Sequence, residues 1–131
     1  MVIDTSALVA IALGEPTCER LLAAIESASS CTMSAVSLLE AGVVLRGRQG
    51  ETALPALYQL VDRLVYEVVP FDDAQARRAI AAFARFGKGM GHPAQLNFGD
   101  CAVYALAGLR GEPVLATGND FAATDIGVCP L

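Results

Sequence analysis

Short apolar segments alternate with longer helical patterns along the whole chain, and this alternation restricts the fold more than any other feature. We predict strands at Met1–Ile3, Cys31–Met33, Tyr66–Val69 and Val114–Ala116, and a short final strand at Ile126–Cys129. Strands that alternate with helices are typical of an α/β domain with a parallel sheet. A chain of 131 residues is long enough for one domain with a sizeable core. We therefore predict a single α/β domain over residues 1–131.

Helical patterns occupy most of the sequence between these strands. The predicted helices are Ala7–Leu13 with Thr5 or Ser6 as cap, one opened by Glu15-Pro16, Ala35–Arg46 with Ser34 as cap, Leu54–Leu64, one that begins at Asp72, and one that follows Asn97. The apolar face of Leu54–Leu64 is expected to belong to the core rather than to an interface. In the helix that begins at Asp72, the spacing predicts that Ala76, Ile80 and Phe83 face inward.

The last of these helices has an unusual composition. Asp100 is the only charged residue in Asn97–Leu109, and every residue after it is apolar or small. A helix that is apolar on every side is a buried helix. Asn97 suits the N-cap position, and Asp100 then lies in the first turn, where a carboxylate accepts from free N–H groups. Asp100 is therefore either a helix-start carboxylate or a ligand at the mouth of a buried helix.

Composition excludes several classes of protein. No apolar run reaches the ~20 residues that span a bilayer, and no basic segment precedes the first apolar run, as a signal peptide requires. The cysteines form no C-x-x-C pair and are expected to be buried free thiols in a reducing cytosol; they are Cys18, Cys31, Cys101 and Cys129. A cytoplasmic protein without a membrane segment is predicted.

The net charge of −5 is unusual for a protein that binds nucleic acid, since such proteins normally have a basic surface. The balance changes if several acids share one site. With four of the 14 acids set aside, the remaining ten nearly match the nine lysines and arginines. A cation bound at that site would lower the negative charge further.

Four apolar segments each contain a single charged side chain. Asp4, Glu40, Asp100 and Asp120 are the only charged residues in segments 1–14, 31–45, 97–109 and 113–124. Each has a local explanation, because Asp4 and Asp100 could cap helices, Asp120 could stabilise a turn, and Glu40 could point to solvent. Acids are rarely buried without a partner, however, and none of the four segments contains a basic residue. Convergence in one site explains all four together, especially as Asp4 and Asp120 follow predicted strands.

Gathered carboxylates have a defined chemistry. They repel one another, and their pKa values rise unless a cation neutralises them. A site with only oxygen ligands suits Mg²⁺ or Mn²⁺, which lowers the pKa of a bound water and can clamp the oxygens of a phosphodiester. The only histidine, His92, lies in a glycine-rich loop and is expected to be a loop residue. A metal-dependent nuclease is therefore favoured over a histidine-based one.

Other polar residues near this predicted site have alternative roles. Thr5 and Ser6 could cap the first helix or hold a metal-bound water or phosphate. Asp125 is expected to be a turn residue rather than a fifth ligand. Basic side chains could contact RNA phosphates or form solvated helix faces; they are Arg46, Arg48, Arg78, Arg85 and Lys88.

The motifs around the four acids resemble those of PIN domains. They read V-I-D-T-S-A-L at 2–8, S-x-x-S-x-x-E at 34–40, L-N-F-G-D-C at 96–101 and G-N-D-F at 118–121. The chain is most similar to the VapC toxins of bacterial VapBC toxin–antitoxin pairs. The loop from Gly87 to Ala94 also resembles actinobacterial members of that family. The resemblance implies a three-layer PIN-like domain with a central short parallel sheet of four to five strands flanked by helices.

The same resemblance implies a function, a site and partners. Members of the family are Mg²⁺- or Mn²⁺-dependent endoribonucleases that cut tRNA, rRNA or other structured RNA. Asp4 and Asp100 would be the main metal ligands, and Glu40 and Asp120 would complete the catalytic site. The expected partners are a VapB-like antitoxin that covers the site, the RNA substrate and a second copy of the chain, in a homodimer and a toxin–antitoxin hetero-oligomer.

Two other classes of function share an acidic pocket. A phosphoryl-transfer protein, such as a receiver or an aspartyl-phosphate phosphatase, would need a lysine after a late strand or an acid at position 6. The only lysine, Lys88, is in a loop, and position 6 is Ser6. A binding module that recognises RNA or protein without turnover is the other alternative, and measurements of metal binding and RNA cleavage would distinguish it.

Overall fold

Four short parallel strands form the centre of the molecule in the computed structural model, which describes residues 1–131. They are β1 (Val2–Ile3), β2 (Thr32–Ser34), β3 (Glu67–Val69) and β4 (Val114–Leu115), in the spatial order β3-β2-β1-β4. All three strand pairs are parallel. The carboxyl ends of the strands therefore lie at one edge of the sheet.

Six helices cover the two faces of this sheet. They are α1 (Thr5–Ala12), α2 (Cys18–Ser27), α3 (Ala35–Gln49), α4 (Ala53–Leu64), α5 (Asp73–Phe86) and α6 (Phe98–Arg110), and a short 3₁₀ helix spans Phe121–Ala123. Adjacent strand residues point to opposite faces. Ile3 and Leu115 pack with residues of α1 to α4, whereas Val2 and Val114 pack with residues of α5 and α6. The predicted three-layer α/β fold is confirmed.

The predicted final strand is reduced to a single point of pairing. Val128 forms one isolated parallel bridge with Val114. The Val114 N–H donates to the Gly127 carbonyl at 2.9 Å, and the Cys129 N–H donates to the Val114 carbonyl at 2.8 Å. Pro130 follows directly and has no N–H with which to extend the ladder.

Two helix starts differ from the prediction. Asp4, rather than Thr5 or Ser6, is the N-cap of α1, so Thr5 is already helical. Helix α2 begins at Cys18 instead of at Glu15-Pro16, because the Glu15 carbonyl accepts from the Cys18 N–H at 2.8 Å in a tight turn. Ser34 caps α3 as expected.

The predicted inner face of α5 is wrong. Ile80 is 71% exposed and Phe83 is 39% exposed, whereas Gln75, Ala82 and Phe86 are buried. The Gln75 side chain turns inward because its Nε2 donates to the Pro70 carbonyl at 2.7 Å. Ile80 and Phe83 instead form an exposed apolar patch with Phe71 and Phe98 around a cavity of about 530 Å³. This set of four residues is called the apolar patch below.

The remaining expectations for the core are largely met. Residues 101–107 of α6 are all buried, and so are Leu57 and Val61 of α4. All four cysteines are free thiols, but only Cys31 and Cys101 are buried, while Cys18 and Cys129 are half-exposed. No helix combines the length and the apolar character needed to cross a membrane.

Candidate acidic active site

Asp4 lies where β1 ends and α1 begins. Its side chain is buried, and its Oδ2 accepts hydrogen bonds from the Ser6 N–H at 2.8 Å and from the Ser6 hydroxyl at 2.5 Å. The Ser6 Oγ also accepts from the Thr117 N–H at 3.1 Å, just after β4. Ser6 therefore joins Asp4 to the loop at the end of β4, and both lie at the carboxyl edge of the sheet.

Glu40 reaches the same edge from α3. Its Oε2 accepts a hydrogen bond from the Thr5 hydroxyl at 2.7 Å, next to Asp4. The carboxylate also rests against Gly99 in the first turn of α6, where an added Cβ would lie 3.0 Å from Glu40 Cδ. Only glycine permits this approach, since a Cβ contact at that distance requires the carboxylate to move. Glu40 therefore connects α1 and α6 and does not point to solvent.

Asp100 forms the capping box of α6. Its Oδ2 accepts from the Asn97 N–H at 2.7 Å, and Asn97 Oδ1 accepts from the Asp100 N–H at 2.9 Å. The helix-start role is thus real. It does not exclude a second role, because Asp100 Oδ1 accepts no hydrogen bond.

The pKa of Asp100 depends on the charges of the other three acids, which indicates that the four lie in one group. The pKa of Asp100 is raised to about 6, chiefly by burial and in addition by the charges of Asp4, Asp120 and Glu40, while the hydrogen bond from the Asn97 N–H opposes the rise. Burial also raises the pKa of Asp4, and the charge of Glu40 adds to this rise, while the hydrogen bonds from Ser6 oppose it. Asp120 is exposed in the loop after β4 and forms the outer part of this acidic group.

No basic side chain neutralises the group. The six ion pairs of the molecule involve none of Asp4, Glu40, Asp100 and Asp120. In Asp4, Glu40 and Asp100, one carboxylate oxygen accepts hydrogen bonds and the other is open, that is, without a donor. In their present positions, no three side chains are close enough together to coordinate a metal ion. Open carboxylate oxygens with uncompensated charge nevertheless suit a hard divalent cation in their chemistry.

Two side chains near the acids act differently from the simplest expectation. Thr5 and Ser6 were candidates for capping α1, but each hydroxyl binds a carboxylate instead. Gly99 was not identified as a site residue from the sequence. Its position in a predicted helix could have identified it. Glycine within a helix is unfavourable by about 1 kcal/mol relative to alanine, so its presence there suggests a packing or functional role.

Asp125 and His92 lie outside the acidic group. Asp125 accepts from the Tyr104 hydroxyl at 2.7 Å and pairs with Arg85 at 3.2 Å. His92 Nδ1 accepts from the Ala94 N–H at 3.2 Å, and its ring packs edge-on against Phe86 with centroids 4.8 Å apart. These contacts agree with the loop and turn roles predicted for the two residues.

The parallel sheet, with acids at the carboxyl ends of its strands, agrees with the family that the sequence matches. The family model of the PIN domain matches residues 1–127. The chain therefore belongs to the PIN-domain family.

Its similarity to particular relatives narrows this class to VapC proteins. The chain is 44% identical over 126 residues to Ribonuclease VapC28 of Mycobacterium tuberculosis, covering 96% of this chain and 95% of the relative. It is also 44% identical over 131 residues to Ribonuclease VapC30 of the same species, covering 100% and 99% of the two chains. Ribonuclease VapC42 is 42% identical over 130 residues, with 96% of each chain covered.

Solved structures show the same fold at low sequence identity. The M. tuberculosis toxin VapC20, described as a Sarcin-Ricin loop cleaving toxin, superposes with a TM-score of 0.79 at 21% identity, covering 99% of this chain and 98% of that one. The toxin–antitoxin complex from Klebsiella pneumoniae contains a chain with a TM-score of 0.71 at 17% identity, covering 99% and 97%.

Proposed function

We propose that this protein is a Mg²⁺- or Mn²⁺-dependent endoribonuclease and the toxin of a type II toxin–antitoxin pair that acts in the cytoplasm. The observation that carries the proposal is the group of Asp4, Glu40 and Asp100, each with one open oxygen and without a basic partner. The ribonuclease names of its relatives support the same activity. Structured RNA of the tRNA or rRNA class is the proposed substrate, in line with the Sarcin-Ricin loop named for VapC20.

Each acid has a distinct task in this proposal. Asp4 and Asp100 would hold the cation, which would supply a water of lowered pKa and neutralise phosphate charge. Thr5 keeps the Glu40 carboxylate beside α6, where it would act as the general base. Asp120, exposed at the outer side of the group, would orient the water or add a further ligand. Ser6 keeps the Asp4 carboxylate in one orientation.

The test is cleavage of total RNA by purified protein freed of antitoxin, with Mg²⁺ or Mn²⁺ and with a chelator. Asp100→Asn is the decisive variant, because an amide oxygen can still accept from the Asn97 N–H and preserve the capping box. We expect cleavage to fall by more than about 100-fold, since changing even groups around a metal ligand costs 10–100-fold. Circular dichroism checks that the helices are retained.

Two results would contradict the proposal. Equal cleavage by wild type and Asp100→Asn would show that the acids are not the site. Metal binding measured by calorimetry without any RNA cleavage would instead support a binding module. Phosphoryl transfer has no support in the structure, because Ser6 is committed to Asp4 and Lys88 lies beyond the end of α5.

We also propose two protein partners. A VapB-like antitoxin is supported by the toxin–antitoxin complex among the structural neighbours. A homodimer through the apolar patch is supported by three exposed large side chains on one face, Ile80, Phe83 and Phe98.

A further inference from the structure

A polar cleft opens between α5, α6 and the C-terminal segment, on the other side of α5 from the apolar patch. Its cavity has a volume of about 430 Å³ and contains Arg78, Tyr104, Gly108, Glu112 and Asp125 in its lining. A smaller cavity of about 220 Å³ shares Arg78, Tyr104 and Asp125 with it and adds Arg85. The two cavities form one continuous surface, which is called the arginine cleft below.

Only one charge in the arginine cleft lacks a partner. Asp125 receives the Tyr104 hydroxyl and pairs with Arg85, and Glu112 pairs with the N-terminal ammonium group at 2.8 Å. Arg78 takes part in none of the six ion pairs and in no hydrogen bond, although it is close enough to Tyr104 to influence the hydroxyl group electrostatically. The cleft therefore presents one uncompensated guanidinium group.

The absence of a side chain at Gly108 leaves the space that this guanidinium group occupies. An added Cβ at position 108 would lie 2.6 Å from Arg78 Nε and 2.8 Å from Arg78 Cζ. The guanidinium plane thus rests directly on the backbone of α6, in space that any other residue would fill. Arg77, the preceding residue, is also exposed but pairs with Asp73 one helical turn away at 2.7 Å.

The arginine cleft and the acidic site lie on the same helix. Asp100, Tyr104 and Gly108 are successive members of an i, i+4 row on α6, and the rise from Asp100 to Gly108 is about 12 Å. The acidic site contains no basic side chain, so side chains that bind the backbone of a polyanion must lie outside it. Arg78 of α5, whose guanidinium group rests against Gly108 of α6, is one such cation without an ion-pair partner.

We propose that the arginine cleft is a subsite for a backbone phosphate of the RNA substrate, away from the bond that is cut, with Arg78 as the phosphate ligand. The planar guanidinium group donates two parallel hydrogen bonds that match two phosphate oxygens. The centre of a protein interface is normally apolar, whereas six of the ten residues that line this cleft are glycines or charged residues. The proposal rests on the ribonuclease function proposed above.

The test measures RNA binding directly, without cleavage. The probe is a fluorescently labelled tRNA titrated with protein in a chelator at several NaCl concentrations. We expect Arg78→Gln to weaken binding about 5–10-fold at low salt and to reduce the slope of log K against log salt by about 0.7–0.9, the value for one lost phosphate contact. Gly108→Ala should act in the same direction, since it keeps the charge but displaces the guanidinium group.

Arg77→Gln is the matched control, because it removes the same charge from the adjacent residue. An equal change of slope in Arg77→Gln and Arg78→Gln would overturn the proposal, since net charge alone would explain it. Unchanged RNA binding by Arg78→Gln, combined with weaker binding of inorganic phosphate, would also overturn it and identify a site for a small anion.

Failure of the subsite is distinguishable from failure of the proposed function. If the wild type cleaves RNA but Arg78→Gln leaves the salt slope unchanged, the subsite alone is wrong. If the wild type neither binds nor cleaves RNA in the presence of Mg²⁺ or Mn²⁺, the function is wrong and the subsite fails with it.

Discussion

Asp100 divides two tasks between its two carboxylate oxygens. Oδ2 completes the capping box with Asn97, and Oδ1 accepts no hydrogen bond. The two roles that a single carboxylate suggested at the start of a buried helix are therefore compatible. The raised pKa of Asp100 follows from burial first and from three neighbouring acids second. Such crowding of acids marks functional sites more often than structural ones.

The pKa of Asp100 gives a prediction for stability against pH. Its folded-state pKa of about 6 is above the unfolded value of 3.8, so the folded state binds the proton more tightly. Without metal, this residue therefore destabilises the fold above pH 6, and the penalty, roughly 1–3 kcal/mol, disappears as pH falls toward 4. Thermal unfolding in a chelator should show Asp100→Asn more stable than the wild type at pH 7.5.

The difference between the two proteins should become smaller at pH 5, where the wild-type carboxyl group is largely protonated in the folded state. Comparing the pair cancels the titration of acids that do not interact with Asp100, such as Asp125 with its lowered pKa. A difference in melting temperature that is constant from pH 5 to pH 7.5 would show that Asp100 is not in an acidic, buried environment.

Helix α6 depends on glycine at its start for a tertiary reason. Gly99→Ala should raise helix propensity by about 1 kcal/mol, but its Cβ would displace the Glu40 carboxylate. We expect a loss of RNA cleavage of about 10-fold or more with the fold retained, because groups that position a site act on this scale. Cleavage assays and thermal unfolding measure the two effects.

Gly42→Ala in α3 is the matched control. A Cβ at position 42 would lie 3.7 Å from Leu54 Cδ2 and Leu57 Cδ2, which is ordinary packing distance. This variant should keep full cleavage and gain some stability. If both alanine variants behave alike, the close approach of Gly99 to Glu40 has no functional importance.

The elements differ in how far the sequence predicts them. The main strands and the buried helix α6 are predictable because short apolar runs and an all-apolar helix each have one stable environment. The inner face of α5 is not, because the Pro70 carbonyl turns Gln75 inward and the competing stripe of Ile80 and Phe83 is equally periodic. Sequence periodicity predicts a helix but does not reveal which face donates a hydrogen bond to another segment.

The candidate site shows the same division. Solitary acids in four apolar segments predict one group. The structure places Glu40 against Thr5, the neighbour of Asp4, and against Gly99, the neighbour of Asp100. The hydrogen bonds of Thr5 and Ser6 to different carboxylates were not predictable, since either hydroxyl could have capped α1. Adjacent residues of one helix point in different directions, so each reaches its own acid.

At the scale of the whole molecule, the apolar patch predicts self-association. Ile80→Glu would place a charge at the centre of the patch without disturbing the core, because Ile80 is largely exposed. Light scattering after size-exclusion chromatography should show a dimer for the wild type and a monomer for the variant. Asp62→Lys, a charge change elsewhere on the surface, should stay dimeric. A monomeric wild type would disprove a homodimer through this patch.

The distribution of charge explains how an acidic protein can act on RNA. Neither the four acids nor Arg78 takes part in an ion pair. Under the proposed function, the acids would bind a cation and Arg78 would bind a phosphate. Negative charge is therefore concentrated at the acidic group, where a divalent ion would neutralise it. The positive charge of Arg78 lies in the arginine cleft, where the RNA backbone would bind. The sequence total of −5 conceals this separation.

Binding of Mn²⁺ measured by titration calorimetry at pH 7 tests the central claim most directly. The predicted result is saturable binding to the wild type that Asp100→Asn weakens by more than about 10-fold, whereas Asp125→Asn, outside the acidic group, leaves it unchanged. Equal affinity of wild type and Asp100→Asn for Mn²⁺, or no binding by either protein, would contradict a shared cation site.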